Sequence, residues 1–151
     1  MSSTNRGRKR NANDYYRTPL SDVQAFLEAS KLDFEDKIVY DPCAGGDNVN
    51  PMSYPSVIKN LYGLNAITSD IREDSPAEHH LNYLKDDFVC EPDIIISNPP
   101  FIESLEFVQR ALENVKEGGA CNFLIAIKLL RELKEKRIFT SKYARKDLCT
   151  C

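Results

Sequence analysis

The chain has 151 residues, 42% of them hydrophobic and 28% charged, with no Trp; a chain this long buries roughly 70% of the surface its unfolded form exposes, enough for one globular domain without disulfide or metal staples and too little for two. Its longest apolar run, Phe123 to Ile127, falls far short of the roughly 20 residues that cross a bilayer, and the polar, basic N-terminus argues against secretion. The net charge of -3 conceals basic ends around an acidic middle: residues 1–17 carry five basic side chains against one acidic, residues 128–151 eight against three, and residues 18–127 seven against nineteen.

Residues 1–13 lack apolar periodicity and read as a disordered basic tail, either a solubilising arm or one that holds a polyanion by neutralising phosphates. Order is expected from Asp14, with residues 14–151 forming the domain. Ser21, followed by Val23, Phe26 and Leu27, predicts an N-capped amphipathic helix that ends before a turn around Asp33. Lys37 to Tyr40 reads as a strand running into Asp41-Pro42, and Gly45-Gly46 as the loop after it. Tyr54 to Leu61 carries Val57, Ile58 and Leu61 at helical spacing, closed by Gly63. Ala66 to Ser69 predicts a second strand ending in Asp70, and Leu81 to Leu84 a third. Ile94-Ile95-Ile96 is an apolar strand halted by Asn98-Pro99-Pro100, and Leu105, Phe107, Val108, Ala111 and Leu112 mark a helix that Gly118-Gly119 ends. Asn122 to Ile127 predicts a fifth, buried strand.

Helices alternating with strands that are apolar on both faces predict an α/β fold, a mostly parallel sheet with helices on both faces. Ligands then bind beyond the carboxyl ends of the strands, where strand order reverses. Asp41, Asp70, Asn82 and Asn98 all fall at or near predicted strand ends, so four polar residues are expected on one rim.

The most specific string is Asn98-Pro99-Pro100-Phe101 after an apolar strand. The string resembles motif IV of the amino-methyltransferases that use S-adenosylmethionine, and the resemblance implies an acceptor such as the exocyclic amine of adenine, a poor nucleophile because its lone pair is delocalised into the ring. Two acceptors, the Asn98 amide oxygen and the Pro99 carbonyl, could hold its hydrogens and turn the lone pair outward. Consecutive prolines fix φ and cannot donate, so they hold the turn rigid. Phe101 offers a face on which an extruded base stacks. A plain strand-ending turn is the competing reading.

Other segments resemble further motifs of these amino-methyltransferases. Asp41-Pro42-Cys43-Ala44-Gly45-Gly46 resembles their motif I, whose glycine loop lets the backbone approach the cofactor's amino-acid end. Asp70, with Ile71 beside it, matches the acidic residue that accepts from the ribose hydroxyls. Asn82-Tyr83 stands where the family has Asp and apolar residues around the cofactor adenine, so the Asn is a departure. Asp14-Tyr15-Tyr16-Arg17-Thr18-Pro19 resembles motif X, beside the methionine portion, and lies before motif I as in the adenine-N6 group. Together with Met52-Ser53-Tyr54-Pro55, the pattern is most similar to phage-borne DNA adenine methylases, over roughly residues 14–127.

The resemblance implies a Rossmann-like class I methyltransferase with S-adenosylmethionine as cofactor. It implies catalytic Asn98, Pro99, Pro100 and Phe101, and cofactor-binding Tyr16, Thr18, Pro19, Asp41, Cys43, Ala44, Gly45, Asp70, Ile71, Asn82 and Tyr83, with no metal. The implied reaction is methylation of the N6 amine of adenine in DNA. The same chemistry on RNA or on a protein glutamine is an alternative, as is a truncated, non-catalytic module that binds cofactor or a partner. Asp47 stands where the family has its last loop glycine, and full-length relatives continue through two more strands, which makes the chain look truncated after the fifth strand. A protein partner or a homodimer is compatible with this reading.

Two other features point to less. His79-His80 has no third ligand nearby in the pattern and reads as solvated. The five cysteines, Cys43, Cys90, Cys121, Cys149 and Cys151, are odd in number and never spaced as Cys-x-x-Cys. They predict a reduced, cytoplasmic compartment and no zinc site, and Cys43 lacks a His base that would make it a nucleophile.

Overall fold

Apolar residues in short runs, each cut off by Asp, Asn or Pro, give strands of only two to four residues. In the computed structural model, which describes residues 16–87 and 90–123, these are β1 (Val39–Asp41), β2 (Ile67–Asp70), β3 (His79–His80), β4 (Ile94–Ser97) and β5 (Ala120–Phe123). All neighbours pair in parallel, in the order β3-β2-β1-β4-β5. Three helices connect or flank them: α1 (Leu20–Ser30), α2 (Ser53–Tyr62) and α3 (Ser104–Asn114), the last preceded by a single 3-10 turn over Phe101–Glu103.

Alternation along the strands sorts the core into two layers, because successive side chains of a strand point to opposite faces. Val39, Ile94 and Ile96 pack with Val23 and Leu27 of α1 and Val57 and Ile58 of α2. Tyr40, Ile95, Cys121 and Phe123 pack on the other face with Phe107, Val108, Ala111 and Leu112 of α3. Both faces of the sheet are therefore covered, the arrangement expected of a parallel α/β sheet. Among the described residues no helix is long and apolar enough to cross a membrane.

Several boundaries differ from those the sequence predicts. Ser21 does not cap α1; Pro19 occupies the cap position and its carbonyl accepts from the Asp22 and Val23 amides, both at 3.1 Å. Proline suits that place, since its fixed φ leads into the helix and it has no N–H to leave unpaired. The first strand begins at Val39 rather than Lys37, because the Ile38 backbone is held by Asp93, whose carboxylate accepts from the Ile38 amide at 2.8 Å. The third strand is not Leu81–Leu84: that segment is a turn in which the Asn82 carbonyl accepts from the Lys85 and Asp86 amides, and the strand lies just before it at His79–His80. Helix α3 stops at Asn114, four residues ahead of Gly118. Gly63 ends α2 as expected, at φ 67° with its amide on the Lys59 carbonyl at 2.9 Å. The predicted basic tail and the end of the predicted fifth strand lie outside the described residues.

Candidate active site

Chain order makes β1 the switch point of the sheet: the chain passes from β1 to β2 on one side and only later to β4 on the other. The loops leaving β1 and β4 diverge there, and a cleft of about 160 Å³ opens above the strand ends. Six segments wall it: the strap at residues 16–18, the loop at 42–46, Ser53 and Tyr54 at the start of α2, residues 70–72, the turn at 81–83 and the stretch from Asn98 to Phe107. Of the residues expected to bind or react, Tyr16, Thr18, Cys43, Ala44, Gly45, Asp70, Ile71, Asn82, Tyr83, Asn98 and Pro100 line this cleft. Pro19, Asp41, Pro99 and Phe101 are not among its lining residues.

The glycine loop is built by hydrogen bonds to its backbone. The Ala44 amide donates to the Ser69 carbonyl at 3.0 Å and the Gly45 amide to Asp70 Oδ2 at 2.8 Å. The Gly45 carbonyl accepts from the Ser75 hydroxyl at 2.5 Å, and the Gly46 carbonyl from Arg72 Nη2 at 3.0 Å. Gly46 has φ +76°, and a Cβ there would lie 3.0 Å from both Met52 Cγ and the Met52 nitrogen. Only glycine combines that dihedral with so close an approach to the α2 N-terminus.

Asp47 serves as a turn former. Its Oδ1 accepts from the Val49 and Asn50 amides, both at 2.8 Å, and its carboxylate also accepts from Asn50 Nδ2. These bonds, the Asn50 side chain foremost, hold its pKa below the usual carboxylate range. Asn50 in turn accepts from Arg17 Nη1 at 2.9 Å, which ties the strap to this turn.

The two strand-end aspartates sit in different situations. Asp70 is 2% exposed and both of its oxygens accept from backbone amides, Oδ2 from Gly45 and Oδ1 from Arg72, each at 2.8 Å. A carboxylate has about four lone-pair sites, so capacity remains for a ligand in the cleft. Asp41 is fully buried beneath the cleft. Its Oδ1 accepts from Ser97 Oγ at 2.6 Å and from the Cys43 amide at 3.1 Å, while Oδ2 has no hydrogen-bond partner among the described residues. Burial pushes its pKa up to about 7, against the lowering effect of Ser97. Burial also pushes the Cys43 thiol well above its ordinary value, which makes it a poor nucleophile at neutral pH.

Asn98 begins the loop after β4. Its Nδ2 donates to Thr18 Oγ1 at 2.8 Å, and among the described residues its Oδ1 accepts nothing. In the same turn the Pro100 carbonyl is occupied by the Glu103 amide at 3.2 Å and the Ser104 hydroxyl at 2.8 Å. The Pro99 carbonyl accepts no bond from the described residues. Phe101 is 65% exposed and Ile102 70% exposed, between the lining residues Pro100 and Glu103.

The opposite wall is rigid. Tyr83 is buried, its ring centroid 5.8 Å from Tyr40 and 5.3 Å from Phe107, with the Arg110 guanidinium 5.6 Å from the ring. Asn114 Nδ2 donates to its hydroxyl at 3.3 Å. Asn82 forms the turn beside it: its Oδ1 accepts from the Leu84 amide at 3.0 Å, leaving Nδ2 and one lone pair for the cleft.

Sequence reasoning did not single out Arg72, Ser53, Tyr54 or Glu103 as lining residues. Arg72 follows Asp70 by two positions, so its place on the rim was signalled by the strand end. Ser53 was not, because its role depends on a contact 35 residues away. His79 and His80 are exposed in β3, and among the described residues no three His, Cys, Asp or Glu side chains gather as metal ligands. Compared with known protein families, with curated proteins and with solved structures, the chain matches none.

Proposed function

We propose that the chain is a class I methyltransferase that uses S-adenosylmethionine to methylate the N6 amine of adenine in DNA. The observation that carries this reading is the loop after β4, where Asn98 Oδ1 and the Pro99 carbonyl, neither of which accepts a bond among the described residues, belong to one turn whose Asn98 and Pro100 line the cleft. Two acceptors on one turn suit a primary amine with two hydrogens to give. The glycine loop on the other side of the switch point supplies the second half: a backbone stripped of Cβ atoms, flanked by the Asp70 carboxylate, fits the amino-acid and ribose parts of the cofactor.

S-adenosylmethionine supplies a sulfonium methyl group whose carbon–sulfur bond breaks as the carbon–nitrogen bond forms. The chain's own contribution is positioning and electrostatics. Asp70 and the Gly45–Gly46 backbone hold the ribose and methionine ends, and Tyr83 walls the base. Asn98 Oδ1 and the Pro99 carbonyl hold the amine hydrogens and direct the nitrogen lone pair into the cleft. As that nitrogen becomes tetrahedral its hydrogens grow more acidic and both bonds tighten, so they stabilise the transition state more than the ground state. The surplus proton then leaves to solvent. Exposed Phe101 offers the stacking face for an extruded base. DNA is favoured over protein by the basic side chains at both ends of the sequence, which neutralise phosphates.

The test is incubation with labelled cofactor and separate acceptors: double-stranded DNA, single-stranded DNA, RNA and a glutamine peptide. Label in adenine N6 of DNA is expected, and Asn98→Ala should lower transfer by roughly 10² or more with cofactor affinity nearly unchanged. Equal transfer by Asn98→Ala would overturn the site, and label on RNA or peptide alone would overturn the acceptor.

A further inference from the structure

A carboxamide has two nearly identical ends, and only one of them suits an amine that donates. If Asn98 turned its Nδ2 to the cleft, donor would face donor and the amine hydrogens would be repelled. Among the described residues the one side chain bonded to the Asn98 carboxamide is Thr18, which lies 80 residues earlier in the chain and accepts from Nδ2 at 2.8 Å; a hydroxyl can accept or donate, so this bond ties the carboxamide down at one end and leaves the other end for the amine.

Thr18 is itself held in place. It is 8% exposed, and its carbonyl accepts from the Ser53 hydroxyl at 2.7 Å, at the first residue of α2. Its neighbour Arg17 is bonded to Asn50 in the turn that leads into the same helix. Its other neighbour, Pro19, fixes φ and caps α1. The hydroxyl therefore sits on a strap secured at both sides, anchored to the same loop and helix that carry Gly46. The strap bonds to the β1 loop side through Arg17 and to the β4 loop through Thr18.

We propose that Thr18 is a positioning residue for methyl transfer: its hydroxyl, accepting from Nδ2, anchors the Asn98 carboxamide so that Oδ1 is left for the acceptor amine. This rests on the methyltransferase reading, but differs from the cofactor contact that the family resemblance implies for Thr18. It assigns Thr18 to the acceptor half of the site. The consequence is a separation of kinetic effects. Removing the hydroxyl leaves the cofactor's own contacts in place and frees the amide to turn, so the cost falls on the chemical step.

Two measurements on the full chain test it. The first needs no activity: the side-chain amide signals of Asn98, assigned by their loss in Asn98→Ala, should show one proton shifted downfield by a hydrogen bond, and Thr18→Val should abolish that shift. The second is kinetic. Thr18→Val should lower kcat for methyl transfer about tenfold to a hundredfold, with the Kd for S-adenosylmethionine within about twofold of the unmutated value. Thr18→Ser, which keeps the hydroxyl, should restore most of the loss. The proposal is overturned if the Asn98 signals do not respond to Thr18→Val, if Thr18→Val retains full kcat, or if its whole effect is on cofactor Kd. A chain whose Asn98 signals respond as expected, but which methylates no acceptor, would instead overturn the methyltransferase reading and leave the Asn98–Thr18 pairing standing.

Discussion

Asp41→Asn tests the chemistry of a carboxyl sealed under the switch point. Burial raises the pKa of Asp41 from an ordinary 3.8 to about 7. At 1.36 kcal/mol per unit, that shift is worth on the order of 4 kcal/mol. The folded chain holds this proton more tightly than the unfolded chain does. With respect to this group, stability is therefore highest below about pH 4, where both states are protonated, falls as pH climbs to about 7, and levels off above. Asn cannot ionise, so the variant lacks the slope, although its Nδ2 at the place of the unpartnered Oδ2 costs about 1–3 kcal/mol at every pH. Asp47, Asp74 and Asp93, whose pKa values are lowered by hydrogen bonds, push stability the opposite way but are common to both proteins. Urea unfolding of the two proteins from pH 4 to pH 8 isolates the group: the stability difference between them should move toward the variant by up to about 4 kcal/mol. Parallel profiles would show that Asp41 stays ionised in the folded chain and would refute the raised pKa.

Gly46→Ala should lower the urea midpoint by an amount equivalent to about 2 kcal/mol or more, since φ +76° disfavours a Cβ and the new atom would meet the Met52 backbone at 3.0 Å; an unchanged midpoint refutes the close approach. Asp70→Asn sets an amide donor against the Gly45 or Arg72 N–H, so both stability and cofactor affinity should fall, the former by about 1–3 kcal/mol. Calorimetry showing unaltered cofactor binding would remove Asp70 from the site. Phe101→Ala should leave stability within about 0.5 kcal/mol while weakening capture of DNA by about 1–3 kcal/mol, part of which Phe101→Trp recovers; an unaltered KM for DNA would assign the exposed ring elsewhere.

Much of the sheet was legible because its strands are short apolar runs with abrupt polar ends. Ile94-Ile95-Ile96 stops at Ser97-Asn98, and α2 stops at Gly63, for reasons carried within a few residues. β3 was not legible: two exposed histidines have no apolar pattern, and they become a strand only because Ser69 and Asp70 of β2 lie alongside. The start of α1 was misread because Ser21 has the chemistry of a cap, while Pro19 has the backbone for it. At the site, Asp41, Asp70 and Asn98 were each expected at strand ends. That Asp70 holds the Gly45 amide, that Asp41 is bonded to Ser97 and that Asn98 reaches Thr18 depend on partners 25 to 80 residues away, which no local pattern encodes.

The central place of β1 also governs how the chain can assemble as it is made. One edge of β1 awaits β2, and the other awaits β4, joined to it across 56 residues by the Ser97–Asp41 bond. A growing chain that has released only β1, α2 and β2 carries a bare strand edge and half a cleft, open to pairing with any other extended segment. The sheet closes around β1 only once the triple isoleucine has emerged. Translation therefore reaches the Asn98 turn and completes the central sheet pairing together, and a ribosome stalled short of it leaves a strand edge for chaperones to shield.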